Sequence, residues 1–157
     1  MPEYLTIALD LIKTWEGWEE APYQDPTGTW TIGYGFTQGV TKNTPKITQE
    51  QALAYLTSSL EKLASRLDVV VYEPLNNHQK GALLSFIWNV GMGTFERSSL
   101  LTCLNNGAYG EAATKFNLYH FSKGIPMKGL SNRRAAEMAC FNTPDETSPQ
   151  PPPPAAA

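Results

Sequence analysis

WEGWEEAPYQDPTGTWTIGYG, residues 15–35, is the stretch that decides the fold. Its centre, DPTG at 25–28, is typical of a tight turn, because proline is favoured at the second turn position and glycine at the fourth. From 29 to 34, bulky and small side chains alternate, which predicts a short strand with Thr31 on the face of small side chains. The stretch therefore predicts a small β-hairpin lobe with space beside one strand.

The segment before the hairpin predicts an amphipathic helix that ends at Glu16. Leu5, Leu9 and Ile12 form one apolar stripe at helical spacing, and Glu16 continues that stripe. Such a stripe normally faces the core, so a carboxylate in it is unusual. The stripe and the neighbouring Trp15 disfavour the charged form of this carboxyl group.

The rest of the chain predicts a helical protein with two lobes. Thr48 and Gln51 form a capping-box pattern at the start of a long helix that would link the hairpin lobe to a helical lobe. The stretch NNHQKGALLSFIWNVG after Pro74 is apolar on nearly all sides, as in a buried central helix. The predicted fold class is α+β, mostly helical and two-lobed. The predicted domain covers residues 1–142. It consists of a small lobe at about 15–47, a linking helix at about 48–67 and a helical lobe at about 74–142. Within the helical lobe, shorter helices are expected near 97–105, 108–119 and 131–141.

The C-terminal residues 143–157, TPDETSPQPPPPAAA, hold half of the 12 prolines and little apolar surface. This composition predicts a disordered tail with polyproline character, peripheral to any chemistry.

Composition excludes some classes of function. With 17% charged residues and 41% hydrophobic residues over 157 positions, the chain is typical of one globular domain. Its net charge of −3 argues against a protein that binds nucleic acid, which needs a basic face. Cys103 and Cys140 match no zinc or redox spacing, so neither a metal nor a cofactor is expected, and free thiols and a disulfide both remain open.

The first residues, MPEYLTIALDLIKTW, carry acidic side chains and no basic leader. We therefore expect neither a signal peptide nor a stable membrane insertion, and we expect synthesis in the cytoplasm.

Glu16 and Asp25 form a candidate acid/base pair. Hydrolysis of a glycosidic bond needs a protonated acid at the leaving oxygen and a second carboxylate for the water or the sugar. Glu16 has apolar neighbours, whereas Asp25 lies in a turn, near water and backbone N–H groups, and should stay ionised. On these residues alone, the alternative stays open that both are solvated charges and that Asp25 only forms the turn.

A resemblance favours the catalytic interpretation. Glu16, Asp25 and Thr31, followed by TIGYG, resemble the Glu–Asp–Thr signature of the bacteriophage lysozyme (endolysin) family, glycoside hydrolase family 24. The stretches QKGALLSFIWNVG, FERSSLLTCLN, EAATKF and GLSNRRAAE resemble later segments of that family in the same order. Together they cover roughly residues 5 to 141.

The resemblance implies a lysozyme-like fold with the glycan in the cleft between its lobes. It implies hydrolysis of the β-1,4 bond between N-acetylmuramic acid and N-acetylglucosamine in peptidoglycan, for host lysis. Glu16 would be the general acid, Asp25 would activate the attacking water, and Thr31 would hold that water. Inversion is then expected, with the two carboxyl groups about 6.5–9.5 Å apart.

Further residues carry over by position. Arg133 would support the acid. Arg134 is a rival for that role, and the alternative for Arg133 is an ordinary charge on the surface of a helix. Trp88, Asn89 and Ser98 match cleft-facing positions and would bind substrate, although ordinary core and cap roles are equally compatible with them.

The resemblance also implies partners. A chain without an apolar leader would need a separate holin to reach the periplasmic cell wall, and we expect a monomer. Two other functions stay open: a lytic transglycosylase, which needs a single acid, and a non-catalytic glycan-binding protein on the same fold.

Overall fold

A computed structural model describes residues 1–145, and the chain in that range is mostly helical. Residues 146–157, which hold most of the predicted tail, lie outside the described residues. In chain order the elements are α1 (Glu3–Glu16), β1 (Glu19–Gln24), β2 (Trp30–Gly33), α2 (Gln49–Val70), α3 (Asn77–Val90), α4 (Met92–Glu96), α5 (Ser99–Asn105), α6 (Tyr109–Lys115), a 3₁₀ turn (Phe116–Leu118), β3 (Phe121–Ser122), β4 (Ile125–Pro126) and α7 (Lys128–Phe141).

Helix α3 is the centre of the helical lobe, as the sequence predicts. It packs between α1 and α7, and residues 81–87 are all buried. Gly81 permits the close approach of α1, because a Cβ at this position would lie 2.5 Å from Ile7 Cγ2. The central helix is therefore apolar on most sides because other helices cover those sides.

The predicted hairpin and linking helix are confirmed. Strands β1 and β2 pair antiparallel, with Tyr23 opposite Thr31. Thr48 caps α2 by accepting a hydrogen bond from the Gln51 backbone N–H, and the Gln51 side chain accepts one from the Thr48 N–H. Helix α2 then runs from the hairpin lobe and packs against α1 and α3.

Two side chains accept hydrogen bonds from the backbone N–H groups at the start of α3. Asn76 accepts from the Gln79 N–H at 2.7 Å. Asp145 lies at the other end of the described chain, is 5% exposed, and accepts from the N–H groups of Asn77 at 2.9 Å and His78 at 3.2 Å. Its Oδ1 also lies 2.8 Å from His78 Nδ1. Packed chain thus extends to Asp145, three residues beyond the boundary at 142 that the sequence suggests.

Replacing Asp145 with alanine is expected to lower the free energy of unfolding by about 1–3 kcal/mol, since two N–H groups at the start of α3 lose a charged acceptor. Burial raises the pKa of Asp145, but the bonds from Asn77 and His78 outweigh it and hold that pKa below the ordinary 3.8. A lowered folded-state pKa means that this contribution is present above about pH 4 and is lost as the pH falls further. Urea denaturation at pH 7 and pH 3 measures both effects, with Asp145→Asn, which keeps one acceptor, expected in between. An unchanged midpoint for Asp145→Ala would refute the capping role.

Two elements were missed by the sequence prediction. The expected helix over 108–119 ends as α-helix at Lys115, and a second hairpin, β3–β4, follows the 3₁₀ turn. Its strands are two residues long, too short to show a period, and its turn has positive φ at Lys123 and Gly124. The short helix α4 was also missed, and α7 begins at Lys128 instead of 131.

Two further features bear on the predictions from composition. Cys103 and Cys140 are free thiols, and burial raises the pKa of Cys140 to about 11. Over residues 1–145, no helix combines the length and the apolar character needed to cross a bilayer.

Candidate active site

One cavity of about 250 Å³ brings together most of the residues predicted to be functional. It lies where the end of α1, the β1–β2 hairpin and the end of α3 meet. Of the predicted residues, all but Arg133 and Ser98 line it. The lining residues are Glu16, Tyr23, Asp25, Thr31, Gly35, Thr37, Trp88 and Asn89.

Glu16 is the last residue of α1, and its carboxyl group is enclosed on two sides. The side chain is 20% exposed, and Oε1 accepts a hydrogen bond from Arg133 Nη1 at 2.7 Å. Gly35 lies against the other oxygen. The flanking Trp15 and Trp18 are not among the described residues that line the cavity, and Trp18 packs on the Tyr34 ring instead. Gly35 and Arg133 therefore both contribute to the enclosure of Glu16.

Arg133 is buried, so the alternative of a helix-surface charge is wrong for this residue. It is 4% exposed, and its Nη2 donates to the Ser85 carbonyl at 3.0 Å while its Nε donates to Glu137 Oε2 at 3.2 Å. Two partners on two helices, Ser85 on α3 and Glu137 on α7, thus fix the guanidinium group that contacts Glu16. A pair held in this way is far more constrained than a surface ion pair.

Arg134, the rival for this role, does not contact Glu16. Its side chain is fully buried over the Phe86 ring, and Nε lies 2.7 Å from Glu137 Oε1 but outside hydrogen-bonding geometry. Burial lowers the pKa of Arg134 to about 10. Burial also raises the pKa of Glu137, against the effect of the two arginines and of the Ser85 hydroxyl, which donates to it at 2.5 Å.

Asp25 is held as an acceptor at the hairpin turn. Its Oδ1 accepts from the Thr27 hydroxyl at 2.7 Å and from the backbone N–H groups of Thr27 and Thr29, each at 2.9 Å. The bond from the Thr27 hydroxyl is the main cause that lowers the pKa of Asp25, partial burial opposes it, and the backbone bonds and the charge of Lys123 add to it. These contacts favour the ionised form of Asp25, which is the direction that the sequence predicts.

Thr31 lies on β2 and is 3% exposed. Its hydroxyl donates to the Thr29 carbonyl at 2.9 Å, which leaves the oxygen lone pairs free to accept. Because it lines the same cavity as Asp25, the hydroxyl can bind a water molecule there.

The three residues predicted to bind substrate differ in their positions. Trp88 is half-buried, with Nε1 3.4 Å from the Tyr34 carbonyl and its ring edge-on to Phe36. Asn89 is exposed at the end of α3. Ser98 is not brought to the cavity: it is buried, its hydroxyl caps α5 at the Leu101 N–H and donates to the Phe95 carbonyl. The predicted binding role of Ser98 has no geometric support, because capping occupies the hydroxyl.

Two further cavities share lining residues with this one. A neighbouring cavity of about 460 Å³ shares Asn89 with it and is lined further by Tyr119, Phe121 and Ser122 around the β3–β4 hairpin. A third cavity, of about 540 Å³, shares Gly35, Thr37 and Trp88 with the central one. Three neighbouring cavities that share lining residues offer several adjacent binding positions, which suits a chain-like ligand.

Several residues of the site were missed by the sequence prediction. Tyr23 and Thr37 line the cavity, and Ser85 and Glu137 hold Arg133. The spacing RRAAE, with Glu137 four residues after Arg133 on one helix face, is a signal that could have identified Glu137. Within residues 1–145, no three His, Cys, Asp or Glu side chains lie close enough together to hold a metal ion.

Replacing Gly35 with alanine is expected to reduce activity by at least tenfold. A Cβ at this position would lie 2.7 Å from Glu16 Cδ, and the φ of +79° is unfavourable for any side chain. A shift of the carboxyl group by about 1 Å is enough to cost rate. Gly107→Ala is the matched control, since Gly107 has a φ of +72° but nothing within 4 Å of the added Cβ. Equal activity losses in the two variants would mean that backbone strain, and not displacement of Glu16, causes the effect.

Comparisons with known proteins agree on one family. Residues 13–137 match the sequence profile described as phage lysozyme. The endolysin of Acyrthosiphon pisum secondary endosymbiont phage 1 is 37% identical over 139 residues, covering 86% of this chain and 94% of that protein. The muramidase domain of SpmX from Asticaccaulis excentricus superposes with a TM-score of 0.78 at 33% identity, covering 87% of this chain and 95% of the domain. An endolysin from the Escherichia coli phage FAHEc1 gives the same TM-score at 30% identity, covering 87% and 90%.

Proposed function

The chain belongs to the phage lysozyme family and is a peptidoglycan-degrading glycoside hydrolase of the muramidase type, and on that premise we propose that it cleaves the β-1,4 bond after N-acetylmuramic acid by inverting hydrolysis. The observation that carries this proposal is the common cavity of Glu16, Asp25 and Thr31. A protonated carboxyl group, an ionised carboxylate and a hydroxyl acceptor around one space are the groups that the reaction needs.

The proposed mechanism divides its steps among four residues. Glu16 donates its proton to the leaving oxygen, and Arg133 orients the Glu16 carboxyl group. Asp25, ionised in its turn, accepts a proton from the attacking water and stabilises positive charge on the sugar ring. Thr31 accepts a hydrogen bond from that water. The water between Asp25 and the sugar makes inversion the expected outcome.

The proposed path of the glycan rests on the three cavities that share lining residues. We infer that the strand runs through the three cavities, with the cleaved bond at the central one. Asn89 and the exposed edge of Trp88 would then contact sugar rings on the two sides of that bond. Activity on host cell walls would need release from the cytoplasm through a separate holin, and the enzyme would act as a monomer.

Mass spectrometry of muropeptides released in H₂¹⁸O tests the reaction. Hydrolysis predicts reducing N-acetylmuramic ends that carry one ¹⁸O atom. Anhydro ends without the label would identify a lytic transglycosylase, and binding to peptidoglycan without any released product would identify a non-catalytic protein.

A further inference from the structure

Glu16, the candidate acid, belongs to a cluster of four charged side chains. Arg133 lies between two carboxylates, with Nη1 2.7 Å from Glu16 Oε1 and Nε 3.2 Å from Glu137 Oε2. Arg134 brings its Nε to 2.7 Å from Glu137 Oε1. Glu137 and Arg134 are fully buried, and Arg133 nearly so. This charge cluster (Glu16, Arg133, Arg134 and Glu137) is neutral when all four groups are ionised.

The contact between Arg133 and Glu16 has an electrostatic cost for an acid catalyst. A neighbouring guanidinium group favours the ionised carboxylate, whereas a general acid has to carry a proton before it can donate one. With Glu137 ionised, the charge cluster rises to +1 when Glu16 takes up its proton. If Glu137 were neutral, the charge would rise to +2, and charges in a buried site are poorly screened.

We propose that Glu137 is a positioning residue that acts through Arg133, holding that guanidinium group against Glu16 and offsetting the positive charge that would otherwise keep Glu16 ionised. The proposal rests on the role of Glu16 as the acid. The Ser85 hydroxyl and Arg133 Nε both donate to Glu137 Oε2, and Arg134 lies against its Oε1. These contacts favour the ionised carboxylate and oppose the burial that raises the pKa of Glu137. Arg134 acts in the opposite sense, because its charge disfavours protonation of Glu16.

Other groups facing Glu16 come from the hairpin. Tyr23 and Asp25 line the same cavity, and the charges of Glu16, Glu19 and Asp25 add to burial in raising the pKa of Tyr23, so that it stays neutral at working pH. Helix α3 contributes the uncharged Trp88 and Asn89 to the same cavity. These groups are unchanged when only Arg134 and Glu137 are replaced, so the variants isolate the charge balance of α7.

The test is the pH dependence of cleavage rate in three variants of the full chain. Glu137→Gln should shift the alkaline limb of the pH–rate profile to lower pH by about 1 pH unit. Arg134→Met should shift it to higher pH by a similar amount. The double variant, which removes one charge of each sign, should return the limb close to its wild-type position. A residue with only a structural role would lower the rate at every pH and leave the limb in place.

Outcomes separate this inference from the proposed function. Far-ultraviolet circular dichroism and thermal unfolding check that each variant folds, because Glu137→Gln leaves Arg134 buried without a counter-charge. If that variant does not fold, the Arg134→Met variant is compared with the double variant, because the two differ only at residue 137. The alkaline limb of the double variant should then lie at lower pH, and equal limbs overturn the inference. Unmoved limbs together with an inactive Glu16→Gln variant overturn the inference alone. An active Glu16→Gln variant overturns the acid assignment and the inference with it.

Discussion

Replacing Glu16 with glutamine is expected to lower the rate of peptidoglycan cleavage by about 10²–10⁴-fold or more. Glutamine keeps the shape of the side chain and can still accept the bond from Arg133 Nη1, but it has no acidic proton for the leaving oxygen. The fold should survive, because the apolar stripe of α1 and its packing on α3 are unchanged. Turbidity loss of permeabilised cells and release of soluble muropeptides measure the rate.

Glu19→Gln is the matched control for this change. Glu19 is three residues away, exposed, and not among the described residues that line the cavity. It makes the same chemical change next to the site, so it should keep nearly full activity. Near-normal lysis by Glu16→Gln would show that another group supplies the proton.

Replacing Asp25 with asparagine is expected to cost about 10²–10⁴-fold in rate, since the amide cannot accept a proton from water. Its oxygen can still accept from the Thr27 and Thr29 N–H groups, so the hairpin turn should hold. Because these bonds and the Thr27 hydroxyl keep the pKa of Asp25 below its ordinary 3.8, the wild-type base should stay ionised down to about pH 4. A steady-state rate measurement across pH tests both statements.

Asp10→Asn serves as the control for this second change, because Asp10 is an exposed carboxylate on α1 away from the cavity. A small effect of Asp25→Asn, close to that of Asp10→Asn, would be the signature of a transglycosylase that needs Glu16 alone.

The local patterns of the sequence predicted the elements that position the site. The DPTG turn, the alternating strand and the stripe that ends at Glu16 depend on neighbours along the chain, and all three occur in the structure. The capping box at Thr48 is equally local. The resemblance identified Glu16, Asp25 and Thr31 as a set, and their roles in the reaction remain predictions.

What the sequence did not predict depends on contacts between distant segments. Arginine is a residue type that usually lies at the surface, so the sequence gives no sign that Arg133 is buried. The packing of α7 on α3 buries it beside Ser85. Asp145 lies in a stretch of tail-like composition, yet it caps a helix 67 residues earlier in the chain. The sequence pattern around Ser98 is compatible with a residue of the cleft and with a helix cap. In the structure its side chain caps α5.

The most direct measurement of the proposed mechanism is the anomeric configuration of the first product, followed by proton NMR before mutarotation. Glu16 as acid and Asp25 as base for an attacking water predict the α-anomer of the new N-acetylmuramic end. The β-anomer, or an end with no free anomeric hydroxyl, would contradict it.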